Sequence, residues 1–213
     1  MSGYVVGIDL GQVRDYTALS VVERLEEPER KWDPLRRNYA VRHLERFLLG
    51  TTYPVVADRV ATIVADPRLR GNCYVVADGT GVGLPVVQLL RQRQPKMHIA
   101  SVVITGGEAV ASQDLDFRVP KRHLVATLQV LLQTGRLKVA SAVPDAQLLV
   151  DEMLAFESRI TPSGNDIYGS WREGSHDDLV LSVALACWYG ENKREHRIWA
   201  IRHDGPNARL RVR

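Results

Sequence analysis

YVVGIDLG (residues 4–11), followed after a short gap by TALSVVER (residues 17–24), is the stretch that decides the fold. The first segment is an apolar run ending at an aspartate and a glycine, as a buried strand does where it leaves the core. The second repeats the apolar pattern, so residues 11–15 read as the turn of a hairpin. Two antiparallel strands therefore open the chain, and Asp9 stands where the first one ends.

Working outward, a charged loop EEPERKWDP (26–34) leads into NYAVRHLERF (38–47), which alternates as a third antiparallel strand. Pro54 then opens an amphipathic helix, PVVADRVATIVADP. NCYVVADGTGVG (72–83) is a buried strand with a glycine-rich turn, residues 84–93 form a helix, and HIASVVIT (98–105) is another apolar strand. The polar stretch TGGEAVASQDLDFRVP (105–120) reads as a loop. A helix from Pro120 stops at Gly135, a short strand covers 137–139, and Pro144 starts a helix reaching about 156. ESRITPSGNDIYGSW (157–171) is a β-hairpin with Pro-Ser-Gly-Asn at its tip. The last helix, SHDDLVLSVALACW (175–188), is apolar on every side beyond its first turn. The order is βββαβα followed by further alternation, which predicts an α/β mixed sheet with antiparallel strands first.

The chain has 213 residues, within reach of a single core, with 45% hydrophobic and 25% charged residues. No apolar run approaches the ~20 residues of a membrane span, and MSGYVVGIDL has no basic region of the kind that begins a signal peptide. Cys73 and Cys187 sit in apolar runs without CxxC spacing and read as buried, reduced thiols. Net charge is +3 with a pI near 9.0, a modest excess compatible with a polyanionic partner. Lys193, Arg194, Arg197, Arg202, Arg209, Arg211 and Arg213 gather at the end of the chain, either as a phosphate-contacting tail or as a solvated end.

The acids carry the chemistry. Asp9 and Asp78 each end an apolar strand and precede glycine or a turn, and in open α/β sheets the carboxyl ends of neighbouring strands line one crevice. Either aspartate alone is equally a turn or helix cap. The apolar helix after His176, Asp177 and Asp178 must be packed, which brings its first turn against the sheet. A cap requires one such residue, and contributes about 0.5–2 kcal/mol; His-Asp-Asp is more than a cap. Three or four carboxylates in one crevice repel unless protons or cations neutralise them, and this predicts a hard divalent metal on oxygen ligands.

GIDLG with Asp15 and Thr17 after it, VVADGTGVGLPVVQLL, KRHLVATLQVLLQTGRLKV and HDDLVLSVALA, in this order, resemble the C-terminal nuclease domain of the large terminase subunits of tailed double-stranded DNA phages. The likeness runs from about residue 4 to residue 190. It implies a ribonuclease H-like fold: a mixed five-stranded sheet, strands 1 to 3 antiparallel and the rest parallel, flanked by helices, with an added β-hairpin before the C-terminal helix. The domain would span 1–190, with a basic tail over 191–213. The resemblance further implies an endonuclease that cuts concatemeric phage DNA, using Mg²⁺ or Mn²⁺, two ions in all, in the host cytoplasm. Its partners would be double-stranded DNA, a terminase ATPase domain or chain, the small terminase subunit and the portal, with no membrane.

Carried over by position, Asp9 and Asp78 match the first two metal-binding acids and the Asp177-Asp178 pair the third, Asp178 being the preferred ligand and Asp177 an auxiliary one. His176 would orient water or phosphate, or is a surface histidine; Asp15 belongs to the turn or supports the ligands. Lys121, Arg122 and Arg172 are candidate DNA contacts, with Arg91, Arg93 and Lys96 on the middle helix and the hairpin with Trp171 as further ones. The chain departs from full-length large terminases in having no GxxxxGK[ST] phosphate loop, so it is expected to be an excised nuclease domain or a free-standing relative and not the motor. The same acids would suit a Holliday-junction resolvase. The two glycine turns also resemble those of actin-like ATP-binding proteins, and a DNA-binding module that does not cut is the third reading.

Overall fold

The computed structural model describes residues 2–11, 15–28, 35–94, 96–155, 157–160, 166–169 and 177–192. His176, Trp171, Arg172 and the basic tail from residue 193 lie outside the described residues.

Strand β1 (Ser2–Asp9) is central because it is apolar enough to be covered on both faces. It pairs antiparallel with β2 (Ala18–Pro28), which pairs antiparallel with β3 (Leu35–Arg46), as the opening hairpin predicts. On its other side β1 runs parallel to β4 (Cys73–Asp78), and β4 runs parallel to β5 (Ile99–Thr105). The expected five strands are thus present in the order β3-β2-β1-β4-β5, with helix α1 (Tyr53–Val64) in the crossover to β4 and α2 (Gly83–Arg93) in the next.

The sheet is wider than expected. Residues 105–120, read from sequence as a loop, contain β6 (Ala111–Gln113) and β7 (Asp116–Pro120), which extend the β5 edge; β8 (Leu137–Val139) extends the β3 edge, making eight strands in the order β6-β7-β5-β4-β1-β2-β3-β8. The sequence hides β6 because all three of its residues are polar or small and exposed. An edge strand of that kind has no buried face to imprint a period of two. Helix α3 (Lys121–Gln133) starts directly after Pro120, α4 (Ala146–Ala155) follows β8, and β9 (Glu157–Ile160) with β10 (Asp166–Gly169) forms the separate predicted hairpin.

Helix α5 (Asp178–Asn192) closes the described fold and continues two residues past the expected domain end at 190. Every residue from Asp178 to Gly190 is buried, consistent with its being apolar all round. One core forms where Leu179, Val183, Leu185 and Trp188 of α5 meet Val5, Val22, Val76 and α3; the other face of the sheet packs Val6, Ile8, Val21 and Val75 against α1 and α2. Contact between α5 and β1 is close because Gly7 has no side chain: a Cβ there would lie 1.9 Å from the Ser182 carbonyl oxygen. Charged side chains anchor the far end of the helix. Arg37 donates to the Glu191 carbonyl at 2.7 Å, and the Glu191 carboxylate accepts from Tyr39 at 2.8 Å and Arg136 at 2.6 Å, so cations gather at the negative end of the helix dipole.

Candidate active site

Alternation along the strands decides which way the acids point. In β1, Val6 and Ile8 belong to the α1/α2 core, whereas Val5 and Gly7 face α5, so Asp9, in phase with Val5 and Gly7, turns to the α5 side. In β4, Val76 faces the α5 core and Ala77 the other, which turns Asp78 the same way. Asp177 and Asp178 arrive at the start of α5, where the Asp177 carbonyl accepts from Leu181 N at 2.8 Å and begins the helical ladder. The two strand ends and the helix end therefore meet on one face.

Burial and mutual repulsion set the electrostatics. Asp9 is only 7% exposed; desolvation, then the neighbouring Asp78, Asp178 and Asp177, push its carboxyl well above the ordinary carboxylate range, against a partial pull downward from Lys121. Asp178, 5% exposed, is pushed up to about 7 by burial first and by Glu152 and Asp177 next, with a further contribution from Asp15. Asp78 is raised by burial, while its Oδ1 accepts from Thr80 N at 2.8 Å and Lys121 lowers it. Lys121 Nζ stands 3.0 Å from Asp177 Oδ2. Asp9, Asp78 and Asp177 thus lie around the Lys121 ammonium, and the Arg46 guanidinium acts on Asp178.

Such a donor set, all oxygen and strongly over-supplied with negative charge, suits a hard divalent cation, whose charge relieves the repulsion that raises these acids. Among the described residues no three His, Cys, Asp or Glu side chains stand close enough together to share an ion. The carboxylates are within electrostatic reach of one another but not drawn in to ligating distances. Both cysteines are buried and free, and burial raises each thiol, Cys73 to about 12, so neither supplies a soft ligand here.

The other sequence candidates are dispersed. Lys121 sits in the acidic cluster itself, one residue before Arg122, whose guanidinium is 3.6 Å from Glu108. Arg91 bonds the Ile99 carbonyl and Asp116, and Arg93 bonds the Pro54 carbonyl and Asp58, so both are engaged within the chain. Two cavities of about 520 and 570 Å³ lie elsewhere, one along α3 and the end of α5, one between α1 and β1–β3, and neither is lined by the clustered aspartates.

Sequence reading missed Glu152 and Arg46. Glu152 is 6% exposed, its Oε2 accepts from Leu179 N at 2.9 Å and Val180 N at 3.2 Å, and its Oε1 lies 3.4 Å from Arg46 Nη1. Burial pushes its carboxyl up to about 7 despite those bonds. The available signal was a charge out of place: Ala146 and Leu149 form the buried stripe of α4, and Glu152 occupies its next position.

No protein-family model matches the chain. It is 30% identical over 190 residues to the large terminase subunit of Thermus phage G20c and, at the same identity and length, to that of Thermus virus P23-45. The matched region is 89% of this chain and 32% of each relative, so the chain spans about a third of the length of these proteins. The crystal structure of the large terminase nuclease from thermophilic phage G20c superposes with a TM-score of 0.60 at 26% identity, covering 90% of this chain and 83% of that one. Over most of its length the chain is similar to the nuclease domains of phage large terminases. Its sheet and flanking helices are accordingly the ribonuclease H-like fold. A structure of the same G20c nuclease with bound magnesium matches at a TM-score of 0.56 and 29% identity, over 87% of this chain and 80% of that one.

Proposed function

We propose that this terminase-type domain is a metal-dependent endonuclease that hydrolyses phosphodiester bonds of double-stranded DNA during phage genome packaging. The observation that carries the reading is the convergence of Asp9, Asp78, Asp177 and Asp178 on the α5 face of a terminase-nuclease sheet, with Asp9 and Asp178 raised by burial and by the acids around them. A magnesium-bound relative supports a divalent ion as the counter-charge.

Asp9, from the central strand, is acted on by all three of the other aspartates and would be shared between two ions, with Asp78 on one and Asp178 on the other. Asp177 assists from the helix start. Bound Mg²⁺ or Mn²⁺ would supply Lewis-acid activation of water and of the leaving 3′ oxygen. Lys121 offsets part of the negative charge that the cluster presents to a phosphate, and His176 is assigned the orientation of water or of the scissile phosphate. Lys121, Arg122 and Arg172 would contact the DNA backbone, a sequence-independent contribution suited to a concatemeric substrate. The remaining packaging partners, an ATPase domain or chain, the small subunit and the portal, follow from the family.

The test is cleavage of supercoiled plasmid with Mn²⁺, Mg²⁺ or EDTA, using wild-type protein, Asp9→Asn and Asp178→Asn. Metal-dependent cutting that both substitutions abolish supports the reading; folded wild-type protein that cuts with neither metal overturns it.

A further inference from the structure

Glu152 is a buried carboxylate placed beside buried Asp178, and each adds to the negative charge around the cluster. Like charges in a desolvated crevice are unfavourable, so the placement requires a compensating role. Helix capping alone does not supply it. Asp177 stands at the start of α5 with a carboxylate of the type that caps helices, yet that carboxylate is paired with Lys121, and the amides of the first turn are taken by a residue from another helix.

The contacts of Glu152 link four parts of the fold. Its Oε2 holds the amides of Leu179 and Val180, the two residues after Asp178; its Oε1 meets Arg46 at the end of β3, and the Arg46 guanidinium lies over the Tyr16 ring, 4.4 Å from its centroid. Tyr16 lies two residues before the β2 residue that pairs with Asp9: Ala18 faces Asp9 on one side and Arg46 on the other. The chain of contacts therefore runs from the neighbourhood of Asp9 across the sheet to the backbone that carries Asp178. Both oxygens of Glu152 are engaged by protein donors, so it is not offered as a metal ligand.

We propose that Glu152, braced by Arg46, is the positioning residue of this active site: it sets the first turn of α5, and with it Asp178, relative to Asp9. The proposal rests on the nuclease reading and names a residue that acts through Asp178, without touching substrate. Glu152→Gln keeps the shape and one acceptor oxygen but presents an amide group either to the Leu179 and Val180 amides or to Arg46, where a carboxylate satisfied both. Arg46→Met leaves Glu152 and its two backbone bonds and removes the brace.

The experiment measures Mn²⁺ binding by calorimetry, plasmid cleavage as kcat and KM, and amide hydrogen exchange of residues 179–182, on wild type, Glu152→Gln, Arg46→Met and the double variant, each checked for fold by circular dichroism. The expected result is about tenfold weaker Mn²⁺ binding and at least tenfold lower kcat in each single variant, KM for DNA within about twofold, and faster exchange confined to the first turn of α5. The double variant should be little worse than either single one, because both act through one contact chain, and Glu152→Asp should recover part of the kcat. If wild type binds Mn²⁺ and cuts while folded Glu152→Gln and Arg46→Met do so equally well, the positioning role is wrong and the nuclease reading stands. If folded wild type neither binds Mn²⁺ nor cuts, the nuclease reading falls and takes this proposal with it.

Discussion

The two faces of the sheet treat their acids in opposite ways. In the cleft between α1 and β1–β3, each acid is matched to an arginine: Glu23 with Arg42 at 2.6 Å, Glu45 with Arg59 at 2.8 Å, Asp66 with Arg68 through two bonds of 3.0 and 2.9 Å. Of these, the hydrogen bonds from Arg68 hold the Asp66 carboxyl at about 2. On the α5 face, where β1 and β4 end and α5 begins, the acids also act on one another, and Asp9, Asp78 and Asp178 are all raised. The first arrangement is complete in itself, whereas the second stores unfavourable electrostatics that a bound cation would release. Perturbation toward the disfavoured charge state, in a group of acids, distinguishes a working site from a surface ion pair.

The sharpest way to break this comparison is to neutralise one acid on each face. Asp9→Asn or Asp178→Asn should reduce metal-dependent plasmid cleavage roughly a thousandfold or more, above about 4 kcal/mol of transition-state stabilisation, while Asp66→Asn leaves cleavage unchanged. Equal losses from the two faces would remove the distinction.

Next in size is a test of the approach of α5 to β1. Gly7→Ala places a methyl group where only 1.9 Å separates it from the Ser182 carbonyl oxygen, and the backbone of strand or helix must move. It should cost about 1–3 kcal/mol or more and lower the melting temperature by roughly 2–4 °C for each kcal/mol, with a parallel loss of metal binding as Asp178 withdraws from Asp9. A melting curve identical to wild type would mean that the helix and strand are not in contact as described.

A third test uses pH. Asp178 and Glu152 are raised to about 7 in the folded state from ordinary values of 3.8 and 4.5, so between those limits the folded protein binds more protons than the unfolded chain. Without metal, the stability from these groups is intact below about pH 4 and is lost as pH rises through about 7. A fall of a few kcal/mol is expected, since each tenfold change in acid strength corresponds to about 1.4 kcal/mol and coupling between the two groups reduces the sum. Thermal unfolding in EDTA from pH 4.5 to 8, repeated with Mg²⁺, should show the ion stabilising most at the alkaline end. A smaller effect, about 1 kcal/mol, is expected of Lys121→Met: loss of the ammonium leaves Asp9 and Asp78 more strongly raised and widens the gap in metal-free stability between pH 5 and pH 8.

Much of this organisation is written in local pattern. Apolar runs bounded by turn residues identify β1, β2, β4 and β5, alternation identifies β3, Asp9 and Asp78 fall at strand ends, and the almost wholly apolar run after Asp178 announces a helix that has to be buried. Family likeness then links the three pieces. Residues 111–113 escape such a reading because an exposed edge strand carries no periodic mark. Lys121 reads from sequence as a candidate DNA contact, and its pairing with Asp177, made where two helix starts 56 residues apart meet, has no mark in the local pattern.

By itself, then, the sequence determined the secondary structure of the core and which acids stand at its ends, because a residue's neighbours along the chain impose those patterns. Tertiary structure alone decided that Glu152, 106 residues from Arg46, closes a contact chain onto the first turn of α5, and that one face of the sheet gathers unbalanced carboxylates while the other balances them. Burial and electrostatic coupling arise between surfaces that meet only on folding. No local pattern carries them beyond an isolated hint, such as one glutamate on an apolar stripe.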